Sequence, residues 1–155
     1  MVKYDNAQHR DLEQERYEHL LREARGPDDQ ARAYLSLGVL DERREEWEGA
    51  ISHYRKCLAT GSQRKDLLYY GNNNLGFSLA KLERFDEAEE FCLAAIEIDP
   101  ARHNAHKNLG LVRQGQGHWL DAANCYVEAY SLCPKDIRAW HLLSALIDLH
   151  PELLT

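Results

Sequence analysis

The dipeptide Leu-Gly recurs three times along this chain at nearly constant spacing, and this repeat constrains the fold more than any other feature. The three copies are Leu37-Gly38, Leu75-Gly76 and Leu109-Gly110. Their glycines are 38 and 34 residues apart, and an alanine follows each one after twelve residues, at Ala50, Ala88 and Ala122. Fixed offsets shared by three units of this length indicate a stack of repeated supersecondary units.

Each unit has the pattern of two helices joined by a short break. In the second unit, Leu75 and Leu79 recur with helical spacing, and Ala88, Cys92 and Ala95 do so again further along. A proline closes the second and third units, because the residue before a proline disfavours the α conformation. Glycine inside a helix costs about 1 kcal/mol relative to alanine. The three glycines therefore predict close helix crossings, with the repeated alanines as the small partners.

The pattern resembles the tetratricopeptide repeat, a 34-residue helical hairpin with Leu-Gly, aromatic, alanine and proline positions. The first unit departs from it, since Gly61-Ser62 replaces the proline and four extra residues follow. Four residues are about one helical turn, so the next helix is predicted to begin a turn early, near Ser62 to Asp66. The resemblance covers about 31–134 and implies an all-α, right-handed superhelical solenoid of antiparallel helix hairpins with about eight helices.

The domain organisation follows from the same resemblance. The three hairpins are predicted at about 31–62, 69–100 and 103–134. They form a repeat region of 27–134, and 135–155 is predicted to cap its end, because Trp140 and the residues after it copy a first helix only. Residues 1–26 are predicted to form an amphipathic helix that Gly26-Pro27 ends. This helix caps the first repeat or dimerises.

The charge and the distribution of apolar residues favour a cytoplasmic protein. The net charge of −7 disfavours a nucleic-acid partner, including RNA-binding helical repeats, because phosphate binding needs a basic surface. No run approaches the roughly 18 apolar residues of a membrane span, and the amino terminus lacks the apolar run of a secretory signal. The four cysteines lack a Cys-x-x-Cys pattern and are predicted to be structural thiols.

Catalytic and metal sites are not expected. The sequence has no phosphate-binding glycine loop, nucleophile elbow or zinc-protease helix motif, so we predict neither an enzyme nor a cofactor. His103 and His106 share one helix face. A metal site needs further ligands at suitable spacing, which this segment lacks, and helix packing explains His106.

The resemblance places ligands on the concave side, which the first helix of each hairpin lines. Positions on this side recur every three or four residues. The predicted peptide-binding residues are Arg32, Leu35, Val39, Arg43, Tyr70, Asn73, Asn74, Phe77, Lys81, Asn104, Lys107, Asn108, Leu111, Arg138 and His141. Basic residues outnumber acidic ones along this groove, whereas the whole chain is acidic. The groove therefore favours an extended acidic peptide with one or two apolar anchors.

Two asparagines sharpen this prediction. Asn74 and Asn108 both stand two residues before a glycine, and each side chain offers a donor and an acceptor to a peptide group. The alternative is that they bond locally or to water. A subgroup of the family binds chaperone carboxyl termini through a two-carboxylate clamp. Only Asn74 matches that clamp, because Leu35, Val39, Asn104 and Asn108 fill its other positions, so specific clamp binding is not expected.

The sequence thus predicts a module that binds an extended segment of another protein. Two other interpretations stay open. One is a homo-oligomeric scaffold, for example a homodimer formed through the amino-terminal helix. The other is a small secretion or assembly chaperone, since three-repeat chaperones of similar length resemble this chain.

Overall fold

The computed structural model describes residues 6–154, which form eight α-helices and a terminal 3-10 turn and contain no strand. The helices are α1 (Asn6–Arg22), α2 (Pro27–Arg43), α3 (Trp47–Ala59), α4 (Lys65–Lys81), α5 (Phe85–Ile98), α6 (His103–Gly115), α7 (Trp119–Leu132) and α8 (Arg138–Leu149), before the turn Pro151–Leu154. The predicted all-α fold is confirmed. Residues 1–5 and 155, at the ends of the predicted capping segments, lie outside the described residues.

The three hairpins share one register around their glycines. In each, the first helix ends five residues after the glycine and the second begins nine residues after it. At the other end the first helices differ, because α2 and α4 have 17 residues and α6 has 13. The four extra residues of the first unit therefore add one turn to α4, which begins at Lys65, as the sequence predicts.

The close crossings predicted at the glycines are confirmed, but the facing side chain is not the alanine. A Cβ added to Gly38 would overlap the ring of Tyr54, and one added to Gly110 would overlap the ring of Tyr126. In the middle hairpin the thiol of Cys92 takes the place of the ring. A flat aromatic ring can lie directly on the glycine because no side chain stands there, so the residue sixteen positions beyond the glycine makes the crossing.

Both crossing tyrosines also bond back to the first helix. The hydroxyl of Tyr54 donates to the Glu42 carboxylate and that of Tyr126 donates to the Gln114 side-chain oxygen, each at 2.8 Å. Burial raises the pKa of the Tyr126 hydroxyl above its usual value. Each hairpin of this type is therefore held by an apolar ring over a glycine and by one hydrogen bond a turn further along.

The chain divides into two compact units, with the boundary between Gly71 and Asn72, inside α4. In unit one, α1 packs against α2 and α2 packs against α3. The α1 contact includes an ion pair of 3.2 Å between Arg43 and Glu13. Pro27 is the first residue of α2, a position that proline favours. The Gly26-Pro27 pair, predicted to end α1, instead begins α2, because α1 ends at Arg22.

In unit two, α5 packs against α6, α6 against α7, and α7 against α8. The core between the last helices contains Ala122, Tyr126, Leu143 and Leu146, with Leu111 packed against it. None of the described helices is both long and apolar enough to cross a membrane.

Cys57 and Cys92 are buried free thiols. Burial raises the pKa of the Cys57 thiol to about 11 and that of the Cys92 thiol to about 12. A buried thiol with a raised pKa is unreactive, which agrees with the predicted structural role.

Candidate functional site

The part of α4 in unit two carries an apolar and a basic residue side by side. Phe77 is half-buried and Lys81 is exposed. The Lys81 ammonium lies 5.3 Å from the centre of the Phe77 ring, within the range of a cation–π interaction. Asn74 lies one turn before Phe77 on the same helix and is also half-buried. This surface thus offers an aromatic contact beside a positive charge.

A chain of three side-chain amides joins α6 to α4. The Asn108 amide donates to the side-chain oxygen of Asn73 at 3.0 Å and to its backbone oxygen at 3.4 Å. Asn73 in turn donates to the side-chain oxygen of Asn74 at 2.9 Å. Only 4% of Asn108 and 7% of Asn73 is exposed. The Asn108 side chain thus bonds to a residue of another helix, and Asn73 links it to the half-buried Asn74.

A charged cluster joins α6 to the start of α8, and its contacts on α6 lie about one turn before Asn108. The guanidinium of Arg138 donates to Asp136 twice, Nε to Oδ1 at 2.8 Å and Nη2 to Oδ2 at 2.5 Å. His103 Nε2 lies 2.9 Å from the same Oδ2, and Arg138 also donates to Asn104 of α6 at 3.4 Å. The hydrogen bonds from Arg138 hold the pKa of the Asp136 carboxyl well below its usual range.

These contacts arrange α4, α6 and α8 side by side, and we call the surface that they share the basic face. It consists of Asn74, Phe77, Lys81, Asn104, Lys107, Leu111, Arg138 and His141. Lys81, Arg138 and His141 are exposed and the other members are half-buried. Leu111 also packs against the core, so it offers only part of its side chain to a ligand.

The predicted groove residues of unit one lie on α2 and the start of α4. Arg32, Val39, Arg43 and Tyr70 are exposed, and Leu35 is half-buried. Arg32 also lines a cavity of about 290 Å³ formed by residues of α1, of α2 and of the connection between them.

Arg43 and Arg138, which were both predicted for the groove, form ion pairs that lower the positive charge of this surface. Arg43 pairs with Glu13 of α1, and Arg138 pairs with Asp136. The sequence prediction omitted Asp136. Its position two residues before Arg138, at the start of a helix, is the signal that could have identified it. The two histidines considered as metal ligands, His103 and His106, bond to different groups. His103 lies against the Asp136 carboxylate, and His106 bonds to the backbone oxygen of Pro100.

Comparison with known families agrees with this geometry. Two sequence models, both described as tetratricopeptide repeat, match residues 33–68 and 69–102. The chain is a tetratricopeptide repeat protein. Its third hairpin repeats the register of the first two. The family resemblance that the sequence predicts is therefore confirmed. A comparison with curated protein sequences finds no match.

Solved structures of tetratricopeptide domains share this fold. The domain of Arabidopsis OM64 is 20% identical with a TM-score of 0.70, over 78% of this chain and 97% of that chain. The first domain of Spaghetti (RPAP3), solved with the HSP90 peptide SRMEEVD, is 18% identical with a TM-score of 0.70, over 80% and 95%.

The second domain of human RPAP3, solved in complex with the HSP70 peptide SGPTIEEVD, is 25% identical with a TM-score of 0.69. That match covers 78% of this chain and 98% of that chain. Tetratricopeptide repeats are protein-interaction modules that are generally non-enzymatic, so this tetratricopeptide protein has a role in protein–protein interaction.

Proposed function

We propose that the protein binds an extended acidic segment of a partner protein on the basic face of unit two. The observation that carries this proposal is the composition of one side of α6, where Asn104, Lys107 and Leu111 recur at helical spacing. Phe77 with Lys81 borders this side on α4, and Arg138 borders it on α8. An extended peptide needs amides for its backbone, cations for its carboxylates and apolar contacts for its anchors, and this side offers all three.

The related domains support an acidic ligand but not one particular partner. The peptides in the two RPAP3 structures both contain the sequence Glu-Glu-Val-Asp. This chain has Leu35, Val39, Asn104 and Asn108 at clamp positions that the family fills with Lys, Asn and Arg. We therefore propose a different acidic segment as the ligand, rather than these chaperone carboxyl termini.

An array of acidic nonapeptides with one or two apolar residues, each paired with its glutamine counterpart, tests the proposal. We expect the protein to bind acidic peptides in preference to their neutral counterparts. Binding of the strongest acidic peptide should weaken about tenfold or more in the variant Lys81→Glu with Lys107→Glu, because two attractive charges become repulsive. Fluorescence polarisation at low ionic strength measures both effects.

The matched control reverses two lysines of unit one, Lys56→Glu with Lys65→Glu, and so changes the net charge equally. This control should bind nearly as well as the natural sequence. Equal weakening in both variants would assign the effect to overall charge and contradict the basic face. Absence of any preference for acidic peptides would contradict the proposed function itself.

A further inference from the structure

Arg138 is a basic residue of the face that is held by an acid of the same chain, Asp136. Its side chain is 62% exposed, whereas that of Asp136 is 15% exposed. The acid therefore lies beneath the base, and a ligand that approaches from solvent meets the guanidinium first.

Asp136 is fixed in this place by three further contacts. Its Oδ1 accepts the backbone N–H of Arg138, the first residue of α8, at 3.1 Å. Its Oδ2 lies 2.9 Å from His103 of α6. Its own backbone N–H donates to the Cys133 oxygen at 3.0 Å. A carboxylate held in this way keeps its negative charge at a defined position behind the guanidinium.

This arrangement matters for any acidic ligand. A guanidinium binds a carboxylate best through two parallel N–H bonds, and Asp136 already occupies one such pair of donors. An exposed ion pair contributes at most about 1 kcal/mol. A ligand with a single carboxylate therefore gains little by exchanging with Asp136. A ligand with several neighbouring carboxylates can also contact Lys107 and Lys81. These additional contacts offset the cost of displacing Asp136 from Arg138.

We propose that Asp136 is a specificity-determining residue of the basic face, which competes with acidic ligands for Arg138 and so selects segments with clustered carboxylates. This inference rests on the proposed function, because it assumes an acidic ligand on the same face. It goes further by naming the feature of the ligand that the face recognises, the density of its charge.

The variant Asp136→Asn isolates the charge from the structural contacts of this residue. Asparagine keeps a side-chain oxygen that can accept the backbone N–H of Arg138, but it carries no charge. Asp136→Ser is a second variant that keeps an acceptor, in case the first folds poorly. Glu90→Gln, on the exposed surface of α5, is the matched control, because it removes one negative charge elsewhere in unit two.

The test uses two labelled peptides that are amidated at the carboxyl terminus, GSLEEELSG with clustered carboxylates and GSLQEQLSG with one. We expect the natural protein to prefer the clustered peptide. In Asp136→Asn, affinity for the single-carboxylate peptide should rise about threefold or more, and the preference for the clustered peptide should fall. The gain should largely disappear when Arg138→Gln is added, because the competition acts through Arg138. Glu90→Gln should leave the preference unchanged.

The possible results separate the two proposals. If the natural protein binds and Asp136→Asn binds equally or more weakly, the inference is wrong while the proposed function stands. If only Asp136→Asn binds, Asp136 blocks acidic ligands instead of selecting among them, so the inference and the proposed function of the natural chain are both contradicted. If neither binds, both are overturned.

Discussion

The polar contacts that join α6 to α4 and to α8 are built from opposite chemistry. The contact with α4 consists of neutral amides, Asn108 and Asn73, which are almost entirely buried. The contact with α8 consists of charged groups around Asp136, and its base, Arg138, lies mostly in solvent. The same helix thus makes one contact that is shielded from solvent and another whose basic side chain is accessible from solvent.

The two contacts differ in how much each is expected to contribute to the stability of the fold. A buried polar group that loses its partner costs about 1–3 kcal/mol, because it cannot turn to water instead. An exposed ion pair contributes about 0–1 kcal/mol and is weakened by salt. The buried amides therefore suit a structural role, whereas the charged cluster can exchange partners at little cost to the fold.

The largest expected effect is on the buried contact. Asn108→Ala leaves the amide oxygen of Asn73 without its donor and should lower the free energy of unfolding by about 1–2 kcal/mol. The lower part of the usual range is expected, because the Asn108 Oδ1 is itself buried with no hydrogen-bond partner among the described residues. Urea denaturation followed by circular dichroism measures this change. Asn104→Ala, one turn earlier on the more exposed part of α6, is the control and should cost clearly less.

A double variant sharpens the same comparison. Asn73→Leu with Asn108→Leu replaces both partners by apolar groups of similar shape, which can be nearly neutral. The double variant should therefore be more stable than the sum of the two single changes predicts. Simple additivity would show that the amide contact does not couple these residues.

A smaller effect is expected at the charged cluster. Asp136→Asn should lower the free energy of unfolding by less than about 1 kcal/mol. This difference should shrink when sodium chloride is raised from about 0.05 M to about 0.5 M, because salt screens exposed charges. The effect of Asn108→Ala should not change over the same range. A salt-independent cost of Asp136→Asn would mean that Asp136 acts only through its neutral hydrogen bonds.

The smallest expected effect is the pH dependence of the stability difference between the natural protein and Asp136→Asn. The pKa of the Asp136 carboxyl is lowered in the folded protein, chiefly by the Arg138 hydrogen bonds. Such a group contributes stability above its unfolded pKa of about 4, and the contribution is lost as the pH falls. The difference between the natural protein and Asp136→Asn should thus be full at neutral pH and decrease below about pH 4. Urea midpoints across this range measure it, and a constant difference would contradict the lowered pKa.

Much of the fold could be predicted from the sequence because it depends on local spacing. The Leu-Gly repeat located the three hairpins, and the four extra residues placed the start of α4 a turn early. The partner of each glycine could not be read in this way. Ala50 and Tyr54 lie on the same helix, and only their packing shows that the tyrosine ring covers Gly38.

The candidate site could be predicted less completely from the sequence than the fold. Asn74 and Asn108 occupy the same repeat position, yet the first is half-buried and the second is buried. Helical periodicity cannot separate them, since it reports the side of a helix and not what lies against it. For the same reason the sequence shows how many basic residues lie on this side of the helices, but it does not show that Glu13 and Asp136 form ion pairs with two of them.

The class of fold, the register of its hairpins and the family could therefore be inferred from the sequence alone, because these follow from residue types at short, fixed intervals. Only the folded structure settles which of the polar side chains are buried and which are exposed. That decision rests on contacts between residues far apart in the chain, such as Asn108 with Asn73, 35 residues away, and His103 with Asp136, 33 residues away. The spacing of residues within one helix does not show which residues of different helices pair in this way.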